Sequence, residues 1–279
     1  MNAATPVFGT FTQAELNRQY DAAATVPSVD VYFERYAALS ALTRTRLNCE
    51  LDVAYGQGER ERVDLFPAAR PDSPLFVFIH GGYWRRLDKS YFSFVAEPLV
   101  RAGAAVACLN YPLAPSASLD RIVRSARAAL DWFAANTQRL NAGAQRIVLG
   151  GHSAGGQLAG LLGGRPPFTG IFTLSGLFDL APVRLSHVND WMRLDAAAAE
   201  RNSPSRHLPE TTATLVAAVG ALETDEFKRQ TESYVQAWRA RRYPAEALVL
   251  NGLNHFSIVL ELADERSALS VALHTLIFV

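Results

Sequence analysis

From Pro74 onward the chain alternates short runs of uninterrupted apolar residues with longer stretches that are apolar on one face only. The runs are "LFVFIH", "AAVACLNY", "RIVLGG", "GIFTLSG", "TLVAAVG" and "EALVLNG", and Leu119 to Asn136 is one of the amphipathic stretches between them. A strand without a polar side has to be covered on both faces, so this alternation predicts a parallel sheet between two layers of helices. Upstream, "CELDVAY" and "RERVDLFPA" alternate around the turn "GQGE" and predict an antiparallel hairpin. Two helices are expected before it. Thr12 and Glu15 form a capping box that opens the first, and Val29, Tyr32, Phe33, Tyr36 and Leu39 share one face of the second. The expected fold class is α/β: a mostly parallel eight-stranded sheet with an antiparallel N-terminal hairpin and helices on both faces. The chain, residues 1–279, is read as a single domain; residues 1–45 and the interruption at 181–210 are candidates for a partial lid.

Composition narrows the partners. With 27 basic and 27 acidic residues mixed along the chain, no net field gathers nucleic acid or an anionic membrane surface. Lys89 and Lys228 are the only lysines, which argues against Schiff-base chemistry. Cys49 and Cys108 are the only cysteines; Cys108 lies within an apolar run, and a disulfide framework is not expected. The start of the chain lacks the basic and apolar regions of a secretory signal, and no apolar stretch reaches the length of a membrane span. A cytoplasmic protein without stable membrane association is the expectation, with a homodimer left open.

The stretch "RIVLGGHSAGGQLAGLLGG" carries the chemistry. Ser153 stands where a strand turns directly into a helix, inside Gly151-His152-Ser153-Ala154-Gly155, the G-x-S-x-G pattern of a nucleophile elbow. The serine is held in a strained conformation there, and side chains two residues before and after it would collide with backbone, which glycine avoids. The helix beginning at Ala154 points its free N–H groups at the reacting centre, so the Ala154 N–H can donate to an oxyanion. The alternatives are a phosphate loop, which would carry lysine where Gln157 stands, and a plain serine cap.

A serine hydroxyl is a weak nucleophile and needs a base oriented by a third group. With such an elbow the chain order is serine, acid, histidine, each after a strand. His255, in the loop after the last apolar run, fits the base. His152 adjoins the nucleophile and is expected to point away from it, His187 and His207 fall in the interruption, and His274 lies in the C-terminal helical run. After "TLVAAVG", Glu223 stands at the early loop position of an acid; Asp225 is the alternative, although it also suits the first turn of the following helix. "FVFIHGGYW" ends the first parallel strand with a His-Gly-Gly turn. Backbone N–H groups around Gly81, Gly82 and Tyr83 can complete the oxyanion site with Ala154, and His80 is expected to fix this loop. Tyr83 and Trp84 either line a substrate pocket or pack in the core.

With these motifs in order, the chain resembles the α/β-hydrolase superfamily, in the branch shared by hormone-sensitive-lipase-like esterases and kynurenine formamidases. "HGGYW", "ETDEFKRQTESYVQAW", "NHFSIV" and "LNRQYDAAATVP" are similar to the formamidase segments at those places, over about residues 15 to 262. Glu223 stands where formamidases typically have aspartate. The resemblance implies hydrolysis of a small aryl formamide such as N-formylkynurenine through a formyl-enzyme on Ser153. The residues themselves support acyl transfer to water, with a small amide or ester as substrate and a carboxylesterase as the alternative; a non-catalytic binding protein of this fold is the remote one. No cofactor is expected, because no histidine–carboxylate or cysteine spacing suits a metal.

Overall fold

The structure is a computed structural model and describes residues 5–211 and 213–279. Among these, the strands β1 (Glu50–Ala54), β2 (Arg62–Phe66), β3 (Ser73–Ile79), β4 (Ala105–Leu109), β5 (Ala142–His152), β6 (Phe168–Leu174), β7 (Thr214–Gly220) and β8 (Ala245–Leu250) form one eight-stranded sheet in the order 1-2-4-3-5-6-7-8. β1 and β2 pair antiparallel, β2 runs antiparallel to β4, and the remaining neighbours are parallel. The mostly parallel sheet and its N-terminal hairpin agree with the sequence pattern. Residue pattern alone does not reveal that the hairpin joins the sheet at β4. Because the chain steps from β3 to β4 on one side and then crosses to β5 on the other, a crevice opens between the carboxyl ends of β3 and β5.

The helices are α1 (Gln13–Gln19), α2 (Asp30–Arg46), α3 (Ala96–Ala102), α4 (Leu119–Ala135), α5 (Ala154–Leu162), α6 (Leu180–Leu185), α7 (Asn189–Met192), α8 (Ala196–Arg201), α9 (Asp225–Ala240), α10 (Ser257–Leu260) and α11 (Ala268–Phe278). Along β3, Leu75, Val77 and Ile79 enter one core cluster while Phe76 and Phe78 enter the other, as the two-residue period of a strand requires. The first cluster is closed by Ile122, Ala126 and Phe133 of α4 and Leu158 of α5, the second by Leu99 of α3 and Leu269, Leu273 and Ile277 of α11. The interruption at 181–210 consists largely of the short helices α6, α7 and α8.

Both N-terminal helices are tied to the body by buried polar contacts. The Thr12–Glu15 capping box is formed, with the Thr12 N–H donating to Glu15 at 2.8 Å. Just beyond α1, the buried Tyr20 hydroxyl donates to Glu226 Oε2 at 2.7 Å, and Arg229 donates to both oxygens of that carboxylate at 2.7 and 2.8 Å. A buried carboxylate is costly unless it is paired and hydrogen-bonded. Arg229 supplies the pair, and the docked Tyr20 hydroxyl adds a further donor to Oε2. On α2, Tyr32, Phe33 and Leu39 pack against the core and Tyr36 is buried, the face expected from their spacing.

His80, just past β3, is fully buried and stacks on Tyr111 with ring centroids 4.4 Å apart. Its Nδ1–H donates to the Gly81 carbonyl at 2.7 Å. Burial pushes its pKa down to about 4. The unfolded chain therefore binds a proton at this imidazole near pH 6.5 while the folded chain does so only near pH 4, so stability is lost as pH falls between those values. The unfolding free energy measured by urea titration is expected to be about 2 kcal/mol lower at pH 5 than at pH 7 from His80 alone. Burial, reinforced by the neighbouring His255, also lowers His152 well below its ordinary value, which adds to the loss in the same direction. His80→Asn should flatten part of this slope.

Candidate active site

The carboxyl ends of the parallel strands bring the expected residues together. Ser153 follows β5 with φ +55 and ψ −117, a conformation in which a non-glycine residue is strained. The flanking glycines permit it. A Cβ on Gly151 would lie 2.3 Å from the Gly155 carbonyl oxygen, and one on Gly155 would lie 2.0 Å from that of Ile79. Ser153 Oγ is 3.0 Å from His255 Nε2, and His255 Nδ1 is 2.7 Å from Glu223 Oε2. All three residues are buried. Since the carboxylate accepts, Nδ1 carries the proton in the neutral ring and Nε2 presents its lone pair to the serine hydroxyl.

Glu223 is held from two further directions. Its Oε1 accepts from the Gly220 N–H at 2.8 Å and from the Ser175 hydroxyl at 2.5 Å. Asp225 begins α9 with its side chain 78% exposed and pairs with Lys228 at 3.0 Å, so it takes no part in the buried array. Gly220 also lets the loops meet, because a Cβ there would stand 2.3 Å from the Leu253 carbonyl oxygen, just before His255. Sequence reasoning missed Ser175. Its only local signal is a serine next to glycine at the end of β6, and in the structure it takes φ +50.

The base loop is fixed from both sides. Asn254 Oδ1 accepts the N–H groups of Phe256 and Ser257, each at 2.9 Å, while its Nδ2 donates to the Tyr32 hydroxyl at 2.8 Å. The Tyr36 hydroxyl donates to the Phe256 carbonyl. His152 does not simply point away from the nucleophile. Its Nε2–H donates to the His255 carbonyl at 2.8 Å and its ring packs 4.8 Å from the His255 ring. It is a positioning residue for the base.

The His80-Gly81-Gly82-Tyr83 turn lies directly against the elbow, where a Cβ on Gly81 would be 3.0 Å from Ser153 Cβ. Gly82 has φ +105, and a Cβ there would meet the Arg86 carbonyl oxygen at 2.1 Å. The N–H groups of Gly82 and Tyr83 donate to no acceptor among the described residues. Ala154, as the first residue of α5, has an N–H without an intrahelical partner. Tyr83 and Trp84 both take positive φ, and four bonds hold them there. The Tyr83 hydroxyl donates to the Tyr20 carbonyl at 2.6 Å, Trp191 Nε1 to the Tyr83 carbonyl at 3.2 Å, Trp84 Nε1 to Gln157 Oε1 at 3.0 Å, and the Ala114 N–H to the Trp84 carbonyl at 2.7 Å.

Tyr83 and Trp84 part company. A cavity of about 420 Å³ opens over Ser153, and Tyr83 lines it together with Tyr20 and Phe33 from the N-terminal region and His187 and Trp191 from the 181–210 interruption. Trp84 does not reach it. Its indole is fully buried in the core and committed to Gln157, so the expectation that it lines the pocket is corrected. No group of histidine, cysteine and acidic side chains that could hold a metal occurs among the described residues.

The BD-FAE family model matches residues 63–169. The chain is 31% identical over 277 residues to the kynurenine formamidase of Danio rerio, covering 92% of this chain and 93% of the relative. It is 31% identical to the kynurenine formamidase of Salmo salar, over 77% of each chain. A putative thioesterase from Silicibacter sp. superposes with a TM-score of 0.82 at 31% identity, over 92% of this chain and 98% of that one. The esterase of Pyrobaculum calidifontis, 19% identical, shares the fold with a TM-score of 0.74 over 88% of this chain and 90% of that one. The chain is a member of the kynurenine formamidase family of α/β-hydrolases.

Proposed function

We propose that the protein is a serine hydrolase that cleaves a small aryl formamide of the N-formylkynurenine type. The observation that carries this reading is the continuous hydrogen-bonded relay Ser153–His255–Glu223 at the floor of a cavity, in a chain alike over nearly its whole length to a kynurenine formamidase. His255 Nε2 takes the hydroxyl proton as Ser153 Oγ bonds to the formyl carbon. The carbonyl oxygen becomes an oxyanion that accepts from the N–H groups of Ala154, Gly82 and Tyr83. His255 then delivers the proton to the amine nitrogen, the C–N bond breaks and the arylamine leaves. Water, deprotonated by His255, attacks the formyl ester; formate departs and Ser153 regains its proton. Glu223 keeps the imidazole in the required tautomer and stabilises its charged form.

A carboxylesterase for short acyl or aryl esters is the second reading, favoured by the ease with which the same array cleaves an ester and by the fold shared with esterases. The chain acts as one domain whose N-terminal and 181–210 segments cap the site, a reading supported by the cavity residues they supply. A cytoplasmic setting is supported by the two free cysteines.

N-formylkynurenine is expected to be turned over with a kcat/KM at least comparable to that for p-nitrophenyl acetate, and Ser153→Ala should lower both by about 10⁴-fold or more. Turnover of the ester alone would leave the esterase reading. Glu223→Gln should reduce kcat by about 10⁴-fold through loss of the correct tautomer, whereas Asp225→Asn should stay near the wild type. Equal losses in the two acid variants would overturn the assignment of Glu223.

A further inference from the structure

Directly after the oxyanion turn, Arg85 and Arg86 line the cavity above Ser153. Both side chains are exposed, and neither has a hydrogen bond or an ion pair within 4.0 Å among the described residues, whereas Arg60, Arg121, Arg201 and Arg229 all pair with carboxylates. Each is instead laid on an aromatic face of the cavity wall. The Arg85 guanidinium lies 4.9 Å from the Trp191 ring centroid and that of Arg86 lies 5.7 Å from Phe33. Such stacking restrains a guanidinium while leaving its N–H donors free. The one lining carboxylate, Asp21, forms no ion pair with either arginine and spends Oδ1 on the Ala24 N–H at 3.2 Å. The cavity wall therefore has one positive charge in excess in a chain whose net charge is zero.

We propose that Arg85 and Arg86 are specificity-determining residues that bind an anionic group, a carboxylate above all, on the leaving-group side of the substrate. The inference rests on the hydrolase reading above and deepens it by naming the charge of the substrate. The backbone geometry links recognition to catalysis. The N–H groups of Arg85 and Arg86 both donate to the Gly82 carbonyl, at 3.0 and 3.1 Å, so the turn that supplies oxyanion donors also carries the two cations. A carboxylate accepts two parallel N–H bonds from a guanidinium, which fixes direction as well as strength. A neutral aryl substrate would meet only the aromatic walls.

The test uses two matched pairs of substrates: formanilide with 2-formamidobenzoate, and phenyl acetate with 4-acetoxybenzoate. The readout is the ratio of kcat/KM for the anionic member over the neutral one, in the wild type, Arg85→Gln, Arg86→Gln and the double variant. Because both arginines are exposed, each single variant should lower the ratio by about 3- to 10-fold, mainly through KM. Raising the ionic strength to about 0.5 M should lower the wild-type ratio and leave that of the double variant nearly flat. A general disturbance of the oxyanion turn would depress both members equally and leave the ratio alone; that result, or a ratio unmoved in both pairs, overturns the proposal. Turnover of the acetates without the formamides would refute the formamidase reading while the ester pair still reports on the arginines. Should neither pair turn over, calorimetric binding of 2-aminobenzoate against aniline reads the same preference, and an equal affinity in the wild type and the double variant overturns it.

Discussion

The close approach of backbone to backbone at the end of β3 is the constraint on which this site depends. The first turn of α5 lies against the Ile79 and His80 carbonyl oxygens so tightly that a Cβ on Gly155 would stand 2.0 and 2.5 Å from them. That contact sets the height of Ser153 above the sheet and brings the Gly81–Gly82 turn against it. Ser153 and the unpartnered N–H groups of the Gly82–Tyr83 turn are thus positioned by main chain, which has few ways to move, rather than by rotatable side chains. Any larger residue at Gly155 would force the first turn of α5 away from the end of β3, and interiors of this density yield little.

The N-terminal helices complete the same design from the other side. The His255 loop has little regular structure of its own before α10, yet it must hold an imidazole between two partners at 2.7 and 3.0 Å. Its order comes from Tyr32 and Tyr36 of α2, which bond to Asn254 and to the Phe256 carbonyl, and from His152 beneath. Tyr20 binds two regions at once: its hydroxyl donates to Glu226 and its carbonyl receives the Tyr83 hydroxyl. The capping segment and the catalytic loops therefore share hydrogen bonds, and loosening one disturbs the other.

The strands and the three residues of the relay were legible because their signals are local. An apolar run reports a strand buried on both faces, and G-x-S-x-G reports a turn whose sterics allow little else. What escaped depends on contacts far apart in the chain. Ser175 matters only because β6 ends beside the Glu223 loop, and nothing near it in sequence says so. Trp84 reads as a pocket residue from its place beside Tyr83, but successive positive φ values turn its ring into the core, where Gln157 receives its N–H. Arg85 and Arg86 look like ordinary surface arginines until the structure sets Trp191 and Phe33 beneath them.

Glutamate in place of aspartate at the acid position follows from the same geometry. The carboxylate has to meet His255 Nδ1 with one oxygen while the other accepts the Gly220 N–H, three residues back along its own loop, and the Ser175 hydroxyl. The additional methylene of glutamate lets the side chain fold back over the loop and reach all three donors. Each of the three bonds offsets part of the solvation lost when this carboxylate is buried. Gly220, whose N–H supplies one of these bonds, must itself lack a side chain, because a Cβ there would stand 2.3 Å from the Leu253 carbonyl oxygen. The identity of the acid and the glycine before it are thus one structural choice, made together with the position of the base.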